Sequence, residues 1–372
     1  MIIAFNTRLR KEGQPAGYEN FMFELLDQVT KKYPQHQFLY IFDKAFDEDR
    51  SFAKNVLPIV AGPETKTNLR LQYWFNYKIP AILRKHKADV FISMDGICSM
   101  RTKKPQCLLI SDLGFLHHLQ SNKKSNVSFY KKHTAGFLGM AKSISTVSNH
   151  ARLVIADQYK INAATIEVIR PVIDDIFKPI DWEEKENIKE KYTEGKAYFL
   201  FSGDIDQRSN LINLLKAFSF FKKRQKSNML LLVAGKADES FKKELKTYKY
   251  RNEVMLLEDL TKETLAKITA AAYAMLYPVL YNDLALPALQ AMQCAVPIVT
   301  SNTGALPSIC ADTALYAHPN SFTDIAENMM LVFKDEHKAA ALVQAGKTLL
   351  SQYQWDRSAD LLMKCILKAV DN

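Results

Sequence analysis

Two tracts of the chain hold polar residues at spacings that could do chemistry. Residues 198–221 read YFLFSGDIDQRSNLINLLKAFSFF. An apolar run ends in Ser202-Gly203, a polar loop carries Arg208, and Asn210 stands where it can cap a helix. The apolar face of that helix is Leu211, Leu214, Leu215, Phe218 and Phe221. A helix start beside a glycine turn and an arginine suits an anion, because its first N–H groups are unsatisfied and its dipole favours negative charge. The alternative is an ordinary strand-to-helix turn with a solvated Arg208. Residues 277–307 read YPVLYNDLALPALQAMQCAVPIVTSNTGALP. Here an apolar run leads into the polar turn Asn282-Asp283, a helix around Pro287, another strand and a loop with Gly304. Asn282 and Gln290 are eight positions apart, slightly more than two helical turns, so both can address one site. Backbone N–H groups at this helix start suit a phosphate, and a cap on a packing helix is the alternative.

Smaller signals lie in the first half. Asp95, in the turn SMDG after the run ADVFIS, is either an acceptor contact or an aspartate that stabilises its own turn. His117 and His118 follow Ser111 by six and seven positions and either reach a site or line a solvated loop. Lys123, Lys124, Lys131, Lys132 and His133 surround Val127, Phe129, Tyr130, Phe137 and Leu138. Residues 69–87 set Tyr73, Trp74, Phe75 and Tyr77 ahead of Arg84, Lys85, His86 and Lys87. Basic residues beside aromatic amphipathic helices can dock on anionic lipid; solvated charge and core aromatics are the alternative. No recognised nucleic-acid module appears, nor a basic stripe with base-stacking aromatics.

The elements that must position these residues follow a regular rhythm. Short apolar runs rich in β-formers fall at 2–6, 37–42, 56–61, 88–93, 107–111, 143–148 and 166–170. A second series falls at 198–203, 229–235, 254–258, 274–279 and 297–302. Amphipathic helical stretches separate them, such as 210–224 and 261–272. Strand, helix, strand at this spacing predicts parallel sheets with right-handed crossovers, and continuous apolar strands predict helices on both faces. The class is α/β: two facing, Rossmann-like, doubly wound domains with a ligand cleft between them. The charged stretch 181–196 interrupts the strand series. Residues 1–172 are expected as an N-terminal domain and 173–352 as a C-terminal one. Residues 353–372 form a last helix free to pack back on the first domain. Open parallel sheets bind ligands beyond the carboxyl ends of their strands. Those loops are 7–17, 94–97, 111–118, 203–210, 281–287 and 302–306.

A length of 372 residues exceeds what one core normally serves, in agreement with two domains. The net charge of +10 calls for an anionic partner: nucleic acid, an anionic membrane surface or a phosphate-bearing small molecule. Cys98, Cys107, Cys294, Cys310 and Cys365 show neither a disulfide framework nor a zinc spacing, so buried thiols and a reducing compartment are expected. The opening MIIAFN reads as a strand rather than a signal peptide, and no apolar run is long enough to span a bilayer. A cytoplasmic protein, with peripheral membrane contact left open, is the expectation.

Taken together, the chain resembles the group 1 glycosyltransferases (glycosyltransferase family four, GT-B fold). The stretches that carry the resemblance are STVSNHARLVIADQYKINAATIEVIRPVIDDIFKP (145–179), YFLFSGDIDQRSNLINLLKAF (198–218) and YPVLYNDLALPALQAMQCAVPIVTSNTGALPSICADTALYAHP (277–319), with a thinner agreement near the N-terminus. The resemblance implies retaining, metal-independent transfer from a UDP-, GDP- or ADP-sugar, with no further cofactor. The donor would sit on the C-terminal domain and a glycan or lipid-linked acceptor on the N-terminal one. Carried over by position, the family's paired glutamates fall on Asn282 and Gln290, for the donor sugar and the ribose. Its arginine-lysine pair becomes Arg208-Ser209, its His-Asp-Leu becomes Ser111-Asp112-Leu113, and its Gly-x-Gly becomes Gly17-Tyr18-Glu19. The implied catalytic set is Arg208, Asn282 and Asp112. The donor set is Gly203, Arg208, Ser209, Asn282, Leu286 and Gln290, with Gly17, Asp95 and Ser111 on the acceptor side and no metal ligand. Asp283 and Ala285 stand where the family has glycines, which predicts a stiffer loop and an added carboxylate near the phosphates. These departures keep a second reading alive: a degenerate member that holds a protein partner.

Overall fold

A computed structural model describes residues 1–8, 17–46, 51–117 and 124–371, with the side chains of His117, Lys124 and Ser125 outside that description. His118 and Lys123, named above, also lie outside the described residues. The chain divides into two compact units, Met1–Val172 with Gln354–Asn372, and Ile173–Tyr353.

In the first unit the strands are β1 (Ile2–Asn6), β2 (Gln37–Phe42), β3 (Val56–Val60), β4 (Val90–Ser93), β5 (Gln106–Ile110), β6 (Ser143–Thr146) and β7 (Ile166–Val168). They form one sheet in the order β3-β2-β1-β4-β5-β6-β7, with every pair parallel. The second unit holds β8 (Tyr198–Ser202), β9 (Leu230–Ala234), β10 (Val254–Leu257), β11 (Ala274–Tyr277), β12 (Ile298–Ser301) and β13 (Ala314–Ala317). Their order is β10-β9-β8-β11-β12-β13, again all parallel. Central strands such as QCLLI, YFLFS and LLLVA are buried along their whole length, because crossover helices cover both faces. Several hydroxyls in the strands are satisfied by neighbouring carbonyls, whereas the buried Ser202 Oγ at the end of β8 has no partner among the described residues. Thr146 donates to the Ile110 carbonyl at 2.8 Å, and Thr300 to that of Tyr277 at 2.9 Å.

Each sheet reverses its strand order once, between β1 and β4 in the first unit and between β8 and β11 in the second. Crossovers leave in opposite directions there, and the diverging loops open a crevice beyond the strand ends. Register fixes which residues flank it: Asn6 lies beside Ser93, and Met275 beside Leu200.

The last helix, Trp355–Asp371, completes the first unit. Its buried face is Leu362, Met363, Cys365, Ile366 and Ala369, and Trp355 stacks on Phe21 at 6.2 Å. Ser143 donates to the Cys365 carbonyl at 2.7 Å, and Ser358 to that of Arg170 at 2.9 Å. The Lys364–Glu167 pair (2.7 Å) sits outside, with the lysine side chain 62% exposed. Leu362→Ala should therefore lower unfolding free energy by about 2–5 kcal/mol through the cavity it leaves. Lys364→Ala should change it by less than about 1 kcal/mol, and urea titrations of both variants check the contrast.

Candidate functional site

The crevice of the second unit begins where β8 ends. Gly203 has φ of 135°, a backbone region that a side chain rarely adopts. A Cβ on the neighbouring Gly235 would fall 2.1 Å from the Gly203 carbonyl oxygen, so the β8 and β9 loop ends pass too closely for any other residue. A short helical turn, Gln207–Ser209, follows and is capped by Asp206, which accepts from the Arg208 amide at 2.8 Å. The other Asp206 oxygen accepts from Arg208 Nε at 3.1 Å, and Ser209 donates to the Asp206 carbonyl at 2.6 Å. Arg208 is only 7% exposed. It is neither a solvated side chain nor an unopposed cation, because Asp206 faces it.

Asn210 corrects an expectation. It precedes the helix Leu211–Gln225 with left-handed backbone, φ 58°, and its side chain makes no cap bond. Instead it donates to the carbonyls of Pro278 at 2.8 Å and Pro319 at 2.7 Å. It thus ties three loops together, helped by the Leu280 amide donating to the Arg208 carbonyl at 2.8 Å.

Asn282 is likewise engaged inside its own turn. Its Oδ1 accepts from the amides of Leu284 (2.9 Å) and Ala285 (2.7 Å), and its Nδ2 donates to the Tyr277 hydroxyl at 2.9 Å. Those partners hold its side chain back toward β11 rather than out along the helix to Gln290. Ala285 takes φ 48° at the start of the helix Leu286–Gln293, a left-handed conformation that costs a non-glycine residue roughly 1–2 kcal/mol. The side chain expected to place a carboxylate near phosphates, Asp283, is buried and accepts from the Tyr281 hydroxyl at 2.6 Å. An α-helix leaves its first amides without intrahelical partners. Pro287 has none to give, so Leu286 and Ala288 supply them, beside Gly203. Gln290 sits half-buried on the same helix.

The charge around this crevice is mixed. Burial pushes the Tyr277 phenol up; Asp204 and Asp206 add to that shift and Arg208 opposes it, so charges of both signs act on this phenol. Two carboxylates beside one arginine make a weaker anion site than the cation alone would.

In the first unit the loops after β1, β4 and β5 meet. Gly17, with φ 84°, opens the helix Tyr18–Lys32. The Tyr18 hydroxyl donates to the Met94 carbonyl and lies within hydrogen-bonding reach of Ser111. Burial pushes this phenol up, so it stays a neutral donor. Asp112 accepts from the Gly114 amide at 2.7 Å, which starts the short turn Gly114–His117. Both carboxylate oxygens of Asp95 are engaged inside the protein. Arg8 donates to its Oδ2 from Nε at 2.8 Å and also from Nη2, while Ser93 donates to its Oδ1 at 2.8 Å. Arg8 Nη1 reaches Thr65 at 2.8 Å, and Thr65 in turn bonds Asp43. Burial works against the Arg8 charge, and Asp95 overrides it, raising Arg8 above its ordinary value. Sequence reading missed Arg8. The available signal was its position directly after β1, at the strand-order reversal.

Against this geometry, comparison with known proteins is informative. Residues 183–349 match the family model "Glycosyl transferases group 1". That stretch is similar to the group 1 glycosyltransferases. It contains Gly203, Arg208, Ser209, Asn282, Leu286 and Gln290. O-antigen chain mannosyltransferase B of Escherichia coli is 26% identical over 237 residues, which cover 63% of this chain and 62% of that relative, under two thirds of its length. Solved structures share the fold from end to end. WaaG, a glycosyltransferase involved in lipopolysaccharide biosynthesis, superposes with a TM-score of 0.78 at 14% identity, covering 98% of this chain and 99% of WaaG. Anabaena HepE in complex with UDP and glucose gives 0.74 at 13% identity, with 98% of each chain covered. The chain therefore has the GT-B architecture of two parallel-sheet α/β domains.

The Arg8–Asp95 pair yields a stability test. Asp95→Ala leaves a buried guanidinium unpaired and should lower unfolding free energy by roughly 3–5 kcal/mol. The double variant Arg8→Met/Asp95→Leu should recover a large part of that loss, as read in urea titrations.

Proposed function

We propose that the chain transfers a sugar from a nucleotide-sugar donor to a glycan or lipid-linked acceptor during assembly of a surface polysaccharide. The observation that carries this reading is the coincidence of the family match at 183–349 with the strand-order reversal at β8 and β11. At that point a helix start, a glycine turn and a buried arginine converge. Mannose is the sugar to try first, given the name of the O-antigen relative, and UDP is one of three nucleotides, given HepE. Transfer is retaining and needs no metal in this proposal. The protein works at the cytoplasmic side, and among the described residues no helix is long and apolar enough to cross a membrane.

Roles follow from position. Arg208 binds the diphosphate after exchanging Asp206 for it, with Gly203, Ser209 and the Leu286 amide shaping the same pocket. Gln290 accepts from the ribose hydroxyls; neutral bonds there contribute about 0.5–1.5 kcal/mol each, against about 1.5–3 with a charged partner. Asn282 sets the turn that faces the sugar. Gly17, Asp95, Ser111 and Asp112 lie on the acceptor side.

A second reading has an observation of its own. Asp206 opposes Arg208, and Asn282 is tied to Tyr277 and two amides. Both favour a member that has lost transfer and holds a protein partner instead. Calorimetric titration of the full chain with UDP-, GDP- and ADP-sugars at low salt separates the two. Micromolar binding of one donor is expected. Arg208→Ala should weaken it at least about tenfold, the loss of one charge-assisted bond, and Asp206→Asn should strengthen it severalfold. Absence of binding by all three donors, in the parent and in Asp206→Asn alike, favours the partner-holding reading.

A further inference from the structure

The chain as a whole is strongly basic, at +10, yet one pocket of the first unit is walled by rings and carboxylates. It lies on the flank of the sheet, between the helix Tyr18–Lys32 and the chain that enters the edge strand β3. Its volume is about 160 Å³, and Phe23, Glu24, Asp27, Tyr40 and Phe52 give it its chemistry. No lysine or arginine is among the described residues that line it. A cavity of about 150 Å³ holds one ring-sized guest, so there is room for a small organic molecule.

Helical spacing and strand packing build the walls together. Glu24 and Asp27 stand three positions apart, so they share one face of their helix. Beside them Phe23 stacks on Phe42 at 6.2 Å. From the sheet side Tyr40, only 3% exposed, meets Phe52 edge to face at 5.7 Å. Phe46 at 5.2 Å and Phe42 at 6.1 Å hold Phe52 further, so this ring is a fixed wall before any ligand arrives. Burial pushes the Tyr40 phenol up and Asp27 adds to that shift, so the Asp27 field reaches the pocket interior. Lys31 bonds Asp27 at 2.6 Å, and Glu24 also acts on it. With side chains 66% and 43% exposed, this is a weak surface pair that a better-placed cation can replace.

The chemistry of the lining selects the kind of cation. Among the described residues no three His, Cys, Asp or Glu side chains stand together as metal ligands. Two carboxylates fall short of the six to eight oxygens that calcium takes. Rings beside carboxylates suit a cation that is itself partly apolar, since π faces attract its charge and cover its hydrocarbon. We propose that this pocket binds a small alkylammonium compound, its stem against Phe23, Tyr40 and Phe52 and its N–H groups donating to Asp27 and Glu24. The crevices past the strand ends take no part, and binding is read without any nucleotide sugar, so its failure and the failure of the transferase reading are separate results.

The test is calorimetric titration of the full chain at low salt with 1,4-diaminobutane and with 1,4-butanediol, a neutral analogue of the same length. The diamine should bind and the diol should not. Glu24→Gln/Asp27→Asn should weaken the diamine at least about tenfold through the lost charge-assisted bonds, and Phe52→Leu severalfold through the lost ring. Asp157→Asn, which removes an exposed carboxylate elsewhere on the first unit, should leave binding unchanged. Thermal melts verify that each variant is folded. The proposal is overturned if the diamine does not bind, if the diol binds as well, or if Asp157→Asn weakens binding as much as the pocket pair. It is also overturned if a folded Phe52→Leu variant binds like the parent, which describes charge attraction without a seat for the stem, or if calcium competes for the same carboxylates at equal concentration.

Discussion

A parallel strand cannot be joined to its neighbour by a tight turn, and nearly everything in this chain follows from that restriction. Each strand must be followed by a crossover, here mostly helical, and those helices cover the sheet on both faces. Among the described residues, every strand pair in both sheets is parallel. The sheet interior then has no room for polar chemistry. Ionisable and hydrogen-bonding side chains collect instead in the loops past the strand ends, and the single reversal of strand order in each sheet decides where those loops part. The functional candidates in both units lie at or beside that reversal because the topology leaves few other places for them.

The two crevices handle buried charge alike. In the first unit Arg8 is balanced by Asp95 and tethered through Thr65 to Asp43, so the loops after β1, β2 and β4 share one polar network. In the second, Asp206 caps its own turn and also faces Arg208, Asn210 donates to carbonyls of adjacent loops, and Asn282 holds the amides of its own turn. Buried polar groups need partners, and these loops find them in one another. A set of side chains that fix a crevice in shape is therefore also the set most readily mistaken for ligand-binding groups.

How far the sequence disclosed this can be argued from particular residues. Continuous runs such as QFLYIF and YFLFSG are visible because burial on both faces demands them. By contrast, β13 escaped notice: ALYA has four residues, half of them alanine, and carries little pattern. Positions in the donor tract were identifiable from motif spacing, yet spacing is blind to where a side chain turns. Asn210 looked like a helix cap, but left-handed backbone swings it onto Pro278 and Pro319. Arg8 carried no motif at all. Its significance arises only when β1 and β4, far apart in sequence, come side by side.

The opposition between Asp206 and Arg208 has a wider consequence. An arginine recruits a diphosphate by its field, and a carboxylate at hydrogen-bonding distance removes most of that field beyond the pair itself. The attraction left for an approaching nucleotide comes from the helix-start amides near Leu286 and from neutral hydrogen bonds. These act only at short range and only in the correct orientation. Such a site would gain little from long-range steering and would depend on shape, which here is set by Gly203, Ala285 and the Asn210 ties. In such a crevice fit and hydrogen-bond geometry, rather than net charge, decide which ligand is held.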